Sequence, residues 1–175
     1  MLYLPVCAPG AGKSVLAFEL VNAGLISPDS IVSPDNLRWV LTGDVGNQEV
    51  NKRVFEIVDK IVRERLFRGL NVYLDATNLV TRERENMVTL ALDLGQEVTI
   101  ITSTLDDAEI LRRNNERSRT VPERAMKRML ARQAQYDGIR VGGQLVGPEF
   151  SAVKHTTIEE MFEYAHTINE RLREI

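Results

Sequence analysis

The sequence predicts an α/β fold: a three-layer sandwich in which a parallel sheet of four to five strands carries helices on both faces. Three observations lead there. Short apolar runs alternate with stretches of helical periodicity, which implies parallel pairing through right-handed crossovers. The first apolar run leads straight into the glycine-rich stretch "APGAGKS". The polar motifs fall just after the apolar runs, where open parallel sheets gather their ligands.

"MLYLPV" reads as the first buried strand, although Pro5 donates no ladder hydrogen bond and is awkward in a central strand. Residues 13–24 follow as a helix and "DSIVS" as a second strand. Val54, Ile57, Val58, Ile61 and Leu66 recur at helical spacing, giving an amphipathic helix that ends near Gly69. "NVYLDATN" makes a third strand, and Met87, Leu90, Ala91 and Leu94 line one face of the next helix. "EVTIIT" is a fourth strand. Thr104 with Asp107 marks a helix start, as does Thr120-x-x-Glu123 with Pro122 in the first turn. "SAVKH" is a candidate fifth strand. Thr157-x-x-Glu160 then opens a last helix burying Ile158, Met161, Phe162, Ala165, Ile168 and Leu172. No repeat, low-complexity tract or long linker divides residues 1–175, so one domain is expected, with a helical lid over 112–136.

Hydrophobic content of 43% and charged content of 27% suit a soluble globular protein. No apolar run approaches a membrane span, and no leader pattern opens the chain. A single cysteine excludes an internal disulfide and fits a reducing compartment, so a cytoplasmic location is expected. The net charge of −3 is unevenly spread: residues 111–140 hold nine basic side chains against three acidic ones, a local +6 that leaves −9 elsewhere. Such a patch is either a solvated helix face or a surface for phosphates.

The phosphate-binding P-loop is written G-x-x-x-x-G-K-[ST], and "CAPGAGKS" fits it with Cys7 at the first glycine. Across Pro9, Gly10, Ala11 and Gly12, the two glycines let successive N–H groups point at phosphate oxygens. Lys13 reaches the β and γ phosphates, and Ser14 places its hydroxyl on Mg²⁺ at a helix N-terminus. Cys7 is tolerated if its φ stays negative; it is a small buried hydrophobe or, as a minor alternative, a redox group. The fold is therefore expected to be that of P-loop NTPases.

In "SPDNLRW", Asp35 and Arg38 lie three apart and share one side of a short helix. A hydroxyl acceptor needs a carboxylate to take its proton, and a nearby arginine can clamp an acceptor phosphate. The alternative is an N-cap aspartate with a surface ion pair. Trp39 is a base-stacking platform or, as the favoured reading, core. Asp75 and Asn78 of "LDATN" are magnesium-shell or donor-site ligands, or else turn residues bonding backbone. Arg117 and Arg119 emerge between two helices, as lid arginines closing on a triphosphate do. Arg124 and Arg128 face solvent or a polynucleotide. His155 and His166 lack metal-ligand spacing and are structural or exposed.

"APGAGKS", "SPDNLR", "VYLDATN" and "RRNNERSRTVPERAMKRM", in this order, resemble the polynucleotide 5′-kinases, the P-loop end-healing enzymes of phages and bacteria, over residues 2–135. The resemblance implies transfer of the γ-phosphate of ATP or another NTP to the 5′-hydroxyl of DNA or RNA, in a bacterial or phage-infected cell. By position, Lys13 and Ser14 hold donor phosphates and Mg²⁺, Asp35 is the general base, and Arg38 clamps the phosphate beside the hydroxyl. Arg117 matches the lid arginine, with Arg119 as a second. Asp75 and Asn78 match the strand-three motif. Three departures stand out: Cys7, a lid one residue shorter before "VP" than in the phage pattern, and no D-x-D-x-T phosphatase motif. The resemblance leaves room for a homo-oligomer and for a separate phosphatase and ligase. Two other readings stay open: a P-loop kinase of a nucleoside, modified base or sugar, and a nucleotide-hydrolysing switch protein.

Overall fold

A computed structural model describes residues 1–139 and 153–173, with side chains for 1–136 and 153–171. Its sheet is parallel throughout and has five strands: β1 (Leu2–Pro5), β2 (Ile31–Val32), β3 (Val72–Leu74), β4 (Val98–Thr102) and β5 (Val153–Thr157), in the order β2-β3-β1-β4-β5. This is the expected P-loop NTPase sandwich. Of the proposed fifth strand, Ser151 and Ala152 lie outside the described residues. Between the strands run α1 (Lys13–Asn22), α2 (Pro34–Thr42), α3 (Asn51–Phe67), α4 (Thr81–Asp93), α5 (Asp107–Glu116) and α6 (Glu123–Ile139), and α7 (Ile158–Arg173) ends the fold.

Alternation along the strands sorts side chains into two cores. Leu2, Leu4, Val72, Leu74, Val98 and Ile100 pack against α3 and α4, where Val54, Val58, Val62 and Leu66 form the buried stripe that the spacing predicts. Tyr73, Ile101 and Cys7 point the other way, onto Leu16, Ala17 and Leu20 of α1 and Ile158 and Ala165 of α7. Leu172 lies outside the described side chains. A third cluster of Ile110, Met126 and Leu130 seats the lid helices on Ala8 of the loop.

Two helix starts differ from the sequence reading because neighbouring donors and acceptors compete for the cap. Asp106, not Thr104, caps α5, its carboxylate accepting from Glu109 N at 2.8 Å. At α6, Pro122 stands outside the helix and its carbonyl accepts the first bonds, from Ala125 and Met126. The Thr157–Glu160 box at α7 forms as expected: Glu160 N donates to Thr157 Oγ1 at 3.1 Å, and Thr157 N to Glu160 at 2.9 Å.

Pro5 finds its explanation in the ladder. Leu2 and Val6 donate to Glu97 and Ile101 on the β4 side, so the odd residues face β3. The β1–β3 pairing ends at Tyr3, and no donor is required of residue 5. Asn78 closes the resulting gap: its amide donates to Pro5 O at 2.7 Å, Ala76 O at 3.1 Å and Leu74 O at 3.3 Å. It does so at φ 49°, a left-handed conformation that asparagine tolerates better than most residues. Asn78→Ala is expected to lower unfolding stability by about 1–3 kcal/mol in urea titration, because three carbonyls lose their donor.

Candidate active site

The loops after neighbouring strands β1 and β3 meet, with Cys7 N donating to Thr77 O at 3.2 Å. Gly10 and Gly12 have φ of 95° and 99°. A Cβ on Gly10 would stand 2.8 Å from Ile110 O of α5, so the lid base excludes every other residue there. Cys7 has no positive φ and is fully buried, which is how the loop accommodates it. The thiol is shielded from the solvent that a redox role needs.

α1 starts from Gly12 with no side-chain cap and no acid in its first turn, leaving its N–H groups and positive dipole end for an anion. Lys13 is buried and folds back, donating to Ala8 O at 2.8 Å and Cys7 O at 3.2 Å. Two residues that the sequence did not single out brace the loop. Tyr73, whose phenol burial pushes well up, donates to Lys13 O at 2.7 Å. Gln133 of α6 accepts from Ala8 N at 2.8 Å.

Asp75 accepts from Ser14 Oγ at 2.9 Å. Burial pushes its carboxyl above the ordinary range, opposed by the Ser14 bond and by Lys13, reinforced by Asp35, and opposed again by Arg117. This hydroxyl–carboxylate pair is the hard oxygen set that Mg²⁺ takes alongside phosphate oxygens and water, so Ser14 and Asp75 fit that ion. Asn78, paired with Asp75 in the sequence reading, spends its amide on the strand ends, as its turn alternative had it.

Asp35 is not an N-cap. Ser33 caps α2 by accepting from Asn36 N at 3.3 Å, Pro34 follows, and Asp35 stands in the first turn with its carboxylate half exposed. It ion-pairs with Arg38, and Arg119 from the lid reaches its other oxygen at 3.4 Å. The pair is no surface bridge, because Arg38 is 6% exposed. Asn51, unremarked in the sequence, fixes the guanidinium by accepting from Nη2 at 2.6 Å and Nε at 2.9 Å. Being neutral, it orients Arg38 without cancelling its charge. Trp39, expected in the core, is 59% exposed, because Arg38 and Leu37 take the inward side of α2.

Part of the lid's charge is taken up by pairing, whereas Arg117, Arg124, Arg128 and Arg132 have no ion pair among the described residues. Arg112 and Arg113 hold Glu109, whose carboxyl they pull down to about 2, and Lys127 pairs with Glu123 at 2.7 Å. Arg119 meets Asp35, whereas the field of Arg117 acts on Asp75. Asn114 pins the turn between them, donating to Val121 O and accepting from Val121 N, both at 3.0 Å. His166 pairs with Glu170 on the exposed face of α7, and His155 lies in β5; among the described residues no histidine, cysteine or acid cluster suits a metal.

Residues 3–136 match the model of a family described as an AAA domain, AAA_33. The chain belongs to that family. Its fold is of the P-loop NTPase type and recurs in several solved structures. One, from the "Pnkp1/Rnl/Hen1 RNA repair complex", aligns with TM-score 0.66 at 23% identity, over 78% of this chain and 45% of that one. A gluconokinase from Sinorhizobium meliloti 1021 aligns with 0.53 at 15% identity, over 99% and 92%. Kti12 of Chaetomium thermophilum in complex with ADP-AlF3 aligns with 0.56 at 12% identity, over 99% and 98%. The AAA domain thus spans less than half of the RNA repair chain. A comparison with curated sequences gives no match. Among the described residues no helix is long and apolar enough to cross a membrane.

Asp75 supplies a pH test for this AAA domain. Folding raises its pKa, so the folded state holds the proton more tightly than the unfolded chain. That contribution favours folding at low pH and is lost as pH rises from the unfolded value through the folded one. In metal-free buffer, Asp75→Asn should raise the melting temperature at neutral pH, with the gain vanishing in acid. The same change should lower nucleotide turnover about 10–100-fold.

Proposed function

We propose that the protein is a 5′-hydroxyl polynucleotide kinase. The observation that carries this reading is the Asp35–Arg38–Asn51 group: a half-exposed carboxylate beside a buried guanidinium that a neutral amide holds in place. In an in-line transfer, Asp35 takes the proton from the attacking 5′-hydroxyl. Arg38 clamps the phosphate on the same nucleotide, which a polynucleotide end offers and a plain sugar does not. Lys13 and the N–H groups of Pro9–Ser14 other than the proline hold the β and γ phosphates of ATP or another NTP, and Arg117 neutralises charge on the transferred group. Ser14 and Asp75 would hold Mg²⁺, which supplies charge neutralisation and orientation of the donor phosphates. Arg119 releases Asp35 as the substrates enter and joins the donor phosphates. The likeness to the RNA repair chain, in fold alone, agrees with this reading.

A second reading, a kinase of a small acceptor, is favoured by the near full-length likeness to a gluconokinase. Transfer of labelled γ-phosphate from ATP with Mg²⁺ to a 5′-hydroxyl oligonucleotide separates the two. The expected result is label at the 5′ end, reduced about 10²–10⁴-fold by Asp35→Asn. Label on gluconate or a nucleoside, with none on DNA or RNA, would establish the small-acceptor reading instead.

A further inference from the structure

Arg84, at the start of α4, is 7% exposed and forms no ion pair among the described residues. Its guanidinium donates to Asn78 O at 3.0 Å and Thr81 Oγ1 at 3.4 Å, and lies 4.5 Å above the ring of buried Tyr136. Burial lowers its pKa, opposed first by Tyr136 and then by the field of Glu85. A buried cation satisfied only by neutral groups is costly unless an anion visits it. Arg84 lines a cleft of about 320 Å³ together with Thr81, Arg82, Arg132, Gln135 and Tyr136, and among the described residues no acid lines it.

Arg132 ends a row. Arg124, Arg128 and Arg132 stand at i, i+4 and i+8 on the exposed face of α6, and none has an ion pair among the described residues. The row spans about 12 Å at 1.5 Å per residue. At its N-terminal end it follows the turn whose Arg119 touches Asp35. At its C-terminal end, Gln133 ties the helix to the loop at Ala8, and Arg84 ties the cleft to the Asn78 turn. A chain of phosphates leaving Asp35 along α6 would meet successive arginines and then the cleft.

We propose that the α6 row and the Arg82–Arg84 cleft form the binding track for the downstream phosphates of a single-stranded polynucleotide. The track rests on the kinase reading for its direction, but its binding can be measured without catalysis. Fluorescence anisotropy with a labelled 5′-hydroxyl oligonucleotide of about 12 nucleotides, without ATP and over a series of KCl concentrations, gives affinity and salt slope. The Arg124→Ala/Arg128→Ala/Arg132→Ala variant should bind at least about 10-fold more weakly. Its slope of log K against log salt should be shallower by about 2, at 0.7 per lost contact. Arg82→Ala should remove about one such contact. In transfer assays the triple variant should lose the KM advantage of the long acceptor over a dinucleotide. Since the substituted arginines are exposed, circular dichroism is expected to match wild type.

Unchanged affinity and slope in the triple variant would overturn the track even if wild type proves to be a kinase. Salt-sensitive binding that the variant loses, in a protein that phosphorylates no 5′ end, would uphold the track and remove the kinase reading. Wild type that binds no oligonucleotide would remove both.

Discussion

A row of bare backbone N–H groups can hold phosphate only if the loop bearing them is kept from collapsing, and much of this structure serves that requirement. Lys13 is the loop side chain that props it from within. Gly10 and Gly12 give it a shape that L side chains resist, and the shape is also fixed from outside. The Ile110 carbonyl of α5 leaves no room for a Cβ on Gly10, Gln133 of α6 grips Ala8, and Tyr73 of β3 grips the Lys13 carbonyl. Lys13 itself folds onto two loop carbonyls and so supplies positive charge inside the curve it stabilises. Lid, sheet and loop are one mechanical unit.

Around that loop the charges fall into two groups with different tasks. In the proposed kinase, Ser14 and Asp75, under the field of Arg117, are the donor side. In the same proposal, Asp35, Arg38 and Asn51, touched by Arg119, are the acceptor side. The two carboxylates repel, which contributes to the raised pKa of Asp75. A lid carrying one arginine for each group balances them from the same short turn. Its geometry depends on Asn114, whose paired bonds to Val121 hold the turn's base while its tip stays exposed.

The buried charges are held by economical means. Arg38 is fixed by a neutral amide and a carboxylate, Arg84 by a carbonyl, a hydroxyl and a ring. Asp35 offsets the charge of Arg38, but Arg84 has no ion pair among the described residues, which is unfavourable for the fold alone. That uncancelled charge is the feature on which the proposed polynucleotide track rests. By contrast, Arg112, Arg113 and Lys127 are neutralised along their own helices and contribute to local stability and solubility.

The sequence by itself determined the architecture and the loop. Strand–helix alternation, the two glycines with Lys13 and Ser14, and the Thr157–Glu160 box are local patterns, and local patterns survive translation into structure because their partners lie a few residues away. Asp35 with Arg38 was legible for the same reason, although which residue capped α2 was not, since Ser33 and Asp35 both offer an oxygen and only backbone direction chooses between them. The outward turn of Trp39, the bracing by Tyr73 and Gln133, the hold of Asn51 on Arg38, and the excuse for Pro5 were decided by tertiary structure. Each depends on residues tens of positions apart, or on which edge of a strand faces a neighbour. The division of Arg117 and Arg119 between two carboxylates belongs there too: both lie on one exposed turn, and only the folded lid brings them to different acids.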